Sequence, residues 1–120
     1  MSEKLTDFRQ LNVWQKAHKL VLDVYEMTKK YPKDERTELV SFMRKAAMII
    51  PAKIAEGFIK RNPKDKERSY RISLEALEEL KYHVILSKDL DYIKENEELY
   101  QSLNEVGRML SGLVRSTRNK

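Results

Sequence analysis

Residues 62–89 read NPKDKERSYRISLEALEELKYHVILSKD, and this stretch decides the fold. At about 100° per residue, one helical face of it is apolar or small along its whole length. That face consists of Tyr70, Ser73, Ala76, Leu77, Leu80, Val84 and Ser87. Asn62 suits the N-cap and Pro63 suits the first helical position, so the sequence predicts a helix over about 63–89 that packs in a bundle.

Two segments before this helix have the same periodicity. The first covers about 12–31, where Asn12 is the predicted N-cap and Pro32 ends the helix. The second covers about 34–60 and contains Pro51, where we predict a kink because proline removes a backbone donor. Its predicted core face consists of Leu39, Phe42, Met43, Ala46, Ile49, Ile50, Ile54, Ala55 and Phe58.

A fourth helical segment follows at about 95–117, where leucine and valine recur with the spacing 4, 3, 4, 3. Four helices joined by short loops predict an all-α, antiparallel up-down four-helix bundle over residues 12–120. Residues 1–11 are predicted to form an N-terminal arm. Trp14 lies on the core side of the first helix, so we expect its side chain to be largely buried.

The composition excludes several classes of protein. The chain has 120 residues, of which 41% are hydrophobic and 36% charged, with 3 glycines, 3 prolines and no cysteine. These values suit long helices with charged outer faces and oppose disorder or a many-stranded sandwich. The lack of cysteine excludes disulfides, Cys-ligated zinc and a thiol nucleophile, and it favours a cytoplasmic protein. No apolar run reaches the roughly 20 residues of a bilayer span, so we expect no membrane association.

Residues that carry catalytic or metal chemistry are sparse. His18 and His83 lie on different helices, and neither belongs to a His-x-x-x-His or Glu-x-x-His pair, so structural or solvated roles are expected for both. The run Glu75, Glu78 and Glu79 is directed mostly away from the predicted core, as in a solvated acidic face. No two glycines have the spacing of a phosphate-binding loop. We therefore predict a non-enzyme without catalytic residues, metal or cofactor.

Charge is distributed unevenly along the chain. Residues 44–71 contain nine basic and three acidic side chains, residues 72–107 contain three and nine, and residues 108–120 contain four and none. The basic side chains of the first region are Arg44, Lys45, Lys53, Lys60, Arg61, Lys64, Lys66, Arg68 and Arg71. An antiparallel hairpin of helices two and three should bring them to one end of the bundle, where they would bind nucleic acid through phosphates. A solvated basic face is the alternative.

Some apolar side chains face away from the predicted core. They are Tyr82, Ile85 and Leu86 on the third helix and Leu22 on the first. Because monomers seldom leave such patches exposed, we predict a homo-oligomer. Neighbouring acidic and basic regions suit head-to-tail contacts that close into a ring.

Three parts of the sequence are familiar from one family. They are FRQLNVWQKA at 8–17, RKAAMIIPAKIAEG at 44–57 and ELKY at 79–82. With these strings the chain resembles, over nearly its full length, the bacterial four-helix bundle proteins. These are also called intervening-sequence or S23 proteins, because some are encoded within insertions in 23S ribosomal RNA genes. The family motif residues are Trp14, Pro51, Ile54, Ala55, Glu56 and Gly57.

The resemblance also implies partners. The same bundle is used by the accessory variability protein of diversity-generating retroelements, a basic homopentamer that binds nucleic acid and a reverse transcriptase. The resemblance therefore implies an assembly of five subunits. It also implies a nucleic acid and a reverse transcriptase as partners. Ile49 and Lys53 stand where the family usually has Ser and Asn, which alters any polar site beside Pro51. A protein-interaction scaffold without a nucleic-acid role is the alternative function.

Overall fold

The computed structural model describes residues 4–118, and no strand is present among them. The four helices are α1 (Asn12–Thr28), α2 (Leu39–Ile59), α3 (Pro63–Asp89) and α4 (Glu97–Arg118). Short 3-10 turns at Phe8–Gln10 and Lys33–Glu35 precede α1 and α2. Each helix packs on the next, and α4 packs back on α1. The predicted all-α four-helix bundle is confirmed. No helix in the described range is long and apolar enough to cross a membrane.

The ends of α1 and α2 differ from the prediction. The N-cap of α1 is Leu11, not Asn12, and its side chain makes no capping hydrogen bond. The helix ends at Thr28, because the amide of Tyr31 donates to the Thr28 carbonyl at 3.2 Å in a tighter turn before Pro32. A 3-10 turn follows Pro32, so α2 begins at Leu39 and not near residue 34.

The start of α4 is also later than predicted. Asn96 accepts a hydrogen bond from the Leu99 amide at 3.0 Å, which places the helix start at Glu97 instead of residue 95. Before it, Asp91 has a φ of 64°, a left-handed conformation that a short polar side chain tolerates. The side chain of Tyr92 then donates to Glu35 at 2.7 Å, which raises the pKa of Tyr92 to about 12. This hydrogen bond links the two loops at this end of the bundle.

The core lies between all four helices. The seven residues predicted to form the inner face of α3 are all buried. On α2, however, Phe42 and Ile49 were predicted to be in the core and are 54% and 37% exposed. That prediction was wrong because α2 has apolar residues on most of its sides, so periodicity alone does not identify the inner face.

Trp14 is partly buried and packs against the core, which agrees with the expectation that most of its side chain is covered. Its ring stacks on His18 at a centroid distance of 5.1 Å and meets the edge of Phe8 at 5.2 Å. Leu11 also packs against the core. The end of the N-terminal arm therefore docks on the bundle through Phe8 and Leu11, with Trp14 between the arm and the core.

α2 runs through Pro51 as one continuous helix, and Pro51 is buried. The neighbouring Ile50 carbonyl accepts a hydrogen bond from Ser73 on α3 at 2.9 Å. This bond fixes the register of α2 against α3 beside the proline. The kink at Pro51 stays a prediction.

α2 and α3 are in close contact at Gly57. A Cβ atom on Gly57 would lie 2.5 Å from Cε1 and 2.8 Å from Cδ1 of Tyr70, distances that real side chains do not show. Tyr70 is itself buried, with 3% of its surface exposed. Glycine at position 57 is therefore required by packing, because any side chain there would push the two helices apart.

We expect overpacking in Gly57→Ala to lower the free energy of unfolding by about 1–3 kcal/mol. The higher helix propensity of alanine should offset ~1 kcal/mol of this loss. Gly112→Ala is the matched control, because the nearest atom to its new Cβ would be Nη2 of Arg115 at 3.8 Å. The control should gain up to about 1 kcal/mol. Urea unfolding measures both values. Equal stability of the two variants would contradict the close contact.

His83 is a buried titratable group on α3. It is 7% exposed, and its Nδ1 has no hydrogen-bond partner among the described residues. Burial lowers the pKa of His83 below its ordinary value, and the nearby Glu79 carboxylate partly opposes this effect. The His83 side chain therefore binds a proton more tightly in the unfolded chain than in the folded chain.

We expect the free energy of unfolding to fall as the pH drops below about 6.5, the ordinary pKa of histidine, because protonation then favours the unfolded chain. His83→Gln should remove this part of the pH dependence. His18→Gln, at an exposed histidine, should keep it. Denaturant titrations of both variants at about pH 7.5 and about pH 5.5 test the expectation. The same pH dependence in both variants would show that His83 is not responsible.

Candidate nucleic-acid interface

Four exposed basic side chains surround the connection between α2 and α3. They are Lys60, Arg61, Lys64 and Arg68, which we call the basic corner. Asn62 caps α3 by accepting a hydrogen bond from the Lys64 amide at 2.8 Å, and Pro63 occupies the first helical turn, as predicted. None of the four side chains forms an ion pair with a residue in the range 4–118. Their charges are thus available to an anionic partner.

Lys66 lies between these residues in sequence but has a different role. Its ammonium donates to the carbonyls of Gly57 at 2.7 Å and Phe58 at 3.0 Å at the end of α2, where the Gly57 carbonyl also accepts from the Lys60 amide. It also lies 5.9 Å from the ring centres of both Phe58 and Tyr70. Lys66 therefore stabilises the connection and is not a free phosphate ligand.

Arg71 is close to the basic corner but is paired. Its Nε donates to Glu67 on the preceding turn at 2.7 Å. The other oxygen of the Glu67 carboxylate lies 3.4 Å from Nε of Arg118 at the end of α4. Glu67 thus joins α3 to α4, and it brings to this end of the bundle an arginine that the sequence analysis did not assign to the site. The basic run 108–120, combined with antiparallel topology, was the signal that could have found it.

Three of the predicted ligands do not lie at this corner. Arg44 and Lys45 are near the start of α2, about 22 Å along the helix axis from Ile59. Arg44 donates to the Thr28 hydroxyl at 3.0 Å and stacks on the Tyr25 ring at 4.3 Å. Lys53 is in the middle of α2 and pairs with Glu56 at 2.9 Å. The prediction that all these residues meet at one end was wrong for these three, because a helix of this length separates its own two ends.

The basic corner is suited to phosphates more than to bases. Tyr70 is buried, and Phe58 is half-buried under Lys66. No aromatic residue in the described range from 58 to 71 is exposed for base stacking. Asp65 is the exposed acid within the corner. The arrangement offers several exposed cations and no exposed aromatic ring in the described range from 58 to 71, which suits sequence-independent contacts to phosphates.

The family motif has mainly a packing role. Pro51, Ile54 and Gly57 are buried, and Ala55 is half-buried. Glu56 is exposed and paired with Lys53, the residue that replaces the usual Asn of the family. The motif thus describes how α2 packs in the bundle.

The outward apolar residues form two separate surfaces. Tyr82 and Ile85 on α3 are 59% and 49% exposed, whereas Leu86 is partly buried against the core and contributes less than predicted. Leu22 is 56% exposed on α1, whose backbone does not approach that of α3 closely. Phe42 on α2 is also exposed, and its neighbour Met43 contacts Ser87 near the end of α3 at 3.5 Å.

Catalytic and metal chemistry find no support in the described residues. No group of three or more His, Asp or Glu side chains within residues 4–118 could hold a metal ion. His18 stacks on Trp14, and His83 is enclosed in the core.

Fold and surface together define a small four-helix bundle with a basic corner at the α2–α3 connection. The family model described as 23S rRNA-intervening sequence protein matches residues 9–112. The chain therefore belongs to this family, as the motif strings indicated, and the family is not a known enzyme family. A comparison with curated proteins found no match.

Proposed function

We propose that this protein is a non-catalytic, cytoplasmic, homo-oligomeric bundle that binds nucleic acid through phosphates. The observation that carries the proposal is the basic corner, because Lys60, Arg61, Lys64 and Arg68 are exposed and unpaired with described residues. Unpaired cations on one corner attract a polyanion, and binding releases its counterions. The name of the family refers to 23S rRNA, which makes a structured ribosomal RNA the first ligand to test.

Oligomerisation is the second part of the proposal. The Tyr82 and Ile85 surface on α3 and the Leu22 surface on α1 belong to helices without close backbone contact, so we infer that they face different sides of the bundle. Two different apolar surfaces favour a heterologous contact, which closes into a ring when the rotation allows. The resemblance implies five subunits. A ring would repeat the basic corner around one axis and raise the avidity for nucleic acid.

We expect binding of structured RNA to be strong at low salt and to weaken steeply as salt rises. Lys64→Glu with Arg68→Glu should lower the affinity about tenfold or more at low salt and reduce the salt slope by about 1.4–1.8, because two phosphate contacts are lost. Both side chains are exposed and unpaired, so helix content should not change. Fluorescence anisotropy at several salt concentrations measures both quantities.

Lys33→Glu with Lys94→Glu is the matched control for this experiment. It makes the same change of net charge at exposed positions near the opposite end of the bundle. The control should bind almost as the parent protein does. If both double variants lose affinity equally, only net charge matters, and the basic corner is not a binding site.

We expect Ile85→Glu and Leu22→Glu each to convert the oligomer to the 14.3 kDa monomer, because a heterologous ring needs both surfaces. Asn12→Asp adds the same charge at an exposed helix start and should leave the ring intact. Light scattering after size exclusion gives the masses. A parent protein that is monomeric at micromolar concentration would contradict the proposal, and loss of assembly in Ile85→Glu alone would indicate a two-fold contact instead.

A protein-interaction scaffold is the second candidate function. The exposed Phe42, Tyr82 and Ile85 side chains favour it, since an apolar surface of this kind needs a protein partner. The retroelement resemblance implies a reverse transcriptase as such a partner. An assembly that forms normally but binds no RNA or DNA at any salt concentration would make the scaffold the better proposal.

A further inference from the structure

A surface groove lies between α3 and α4. Its α3 side is formed by Leu74, Glu78 and Lys81, and its α4 side by Asn104, Gly107, Arg108, Ser111 and Arg115. Because Gly107 has no side chain, side chains of α3 lie close to the α4 backbone at this position. A Cβ atom on Gly107 would be 3.3 Å from Leu77 and 4.0 Å from Nζ of Lys81. The groove thus combines an apolar floor with polar and basic walls.

The α4 wall is a regular stripe. Asn104, Arg108, Ser111, Arg115 and Arg118 follow each other with spacings of 4, 3, 4 and 3, so they lie on one face of the helix. The stripe is about 21 Å long from its first to its last residue. Arg108 and Arg115 are exposed, and neither pairs with an acidic residue in the range 4–118. The one acid in the groove walls, Glu78, pairs with Lys81 at 3.1 Å.

This stripe meets the basic corner. Arg118 at its end lies 3.4 Å from Glu67, which also holds Arg71. Basic residues therefore continue from Lys64 and Arg68 on α3 to Arg115 and Arg108 on α4. The sequence shows the two groups more than 35 positions apart, and the α3–α4 packing joins them.

We propose that the α3–α4 groove holds the phosphate backbone of a single-stranded nucleic acid that continues from the basic corner. This inference rests on the proposed function and adds the path and the strandedness of the ligand. Packed helix axes are about 8–10 Å apart, so the groove between them is narrower than a duplex, whose major groove alone is about 12 Å wide. An extended strand fits such a groove with its phosphates towards Arg108 and Arg115.

The groove walls also predict what the strand presents. Among the described residues, none that lines the groove is aromatic, so bases have no stacking surface there and point outwards. Asn104 and Ser111 can hydrogen-bond to phosphate or sugar oxygens between the arginines. Binding along the groove is therefore largely independent of base sequence and common to RNA and DNA.

The test is Arg108→Gln with Arg115→Gln, measured with labelled single-stranded RNA, single-stranded DNA and a blunt duplex of the same length. For both single strands, the salt slope should fall by about 1.4 and the affinity at low salt about tenfold, because two phosphate contacts are lost. The duplex should be affected much less. Lys33→Gln with Arg36→Gln removes the same charge from exposed positions near the opposite end and serves as the control.

The outcomes separate this inference from the proposed function. Suppose that the Lys64→Glu, Arg68→Glu double variant loses affinity while the Arg108→Gln, Arg115→Gln double variant has the same salt slope as its control. The groove then does not bind a strand, and the basic corner remains the proposed binding site. If the Arg108→Gln, Arg115→Gln variant loses affinity for the duplex and for single strands equally, the proposed preference for single strands is wrong. If the parent protein binds no nucleic acid, both proposals fail together.

Discussion

The close packing of α2 against α3 is the constraint on which the rest of the structure depends. Gly57 allows the Tyr70 ring to approach the α2 backbone, and Ser73 bonds to the Ile50 carbonyl beside the buried proline. Lys66 then satisfies the last carbonyls of α2. These contacts fix the hairpin at its closed end, so its connecting residues are held on rigid helices. The family motif is concentrated here because backbone contact this close tolerates few substitutions.

Ion pairing decides which cations remain for a partner. Arg71, Arg118 and Lys53 are partly neutralised by glutamates of this chain, and Arg44 is bound to the end of α1. The basic corner keeps its charge because the acidic third quarter of the sequence lies mostly further along α3 and at the start of α4. The separation of basic and acidic residues along the sequence thus becomes a separation of charge between the two ends of the bundle. A bundle with this charge distribution is suited to binding a polyanion and to binding a second copy of the same chain.

Particular residues show how far sequence reasoning extends. All seven residues predicted for the inner face of α3 are buried, because a regular helix keeps its 3.6-residue period over its whole length, but Ser69 and His83 are buried as well and were not in that set. Phe42 and Ile49 were assigned to the wrong side, since α2 carries apolar residues on most sides and only its neighbours decide which are covered. Trp14 packs against the core as expected, but its ring contacts with Phe8 and His18 were not predicted.

The sequence by itself determined the four helices, most of the α3 core face and the family. These depend on local period, on cap chemistry and on motif strings that lie close together in the chain. Only the tertiary structure decided that Arg44 is remote from the corner and that Arg118 reaches Glu67. The physical reason is that a surface site is set by distances between helices, and those distances follow from packing, which the charge pattern of a linear chain does not contain.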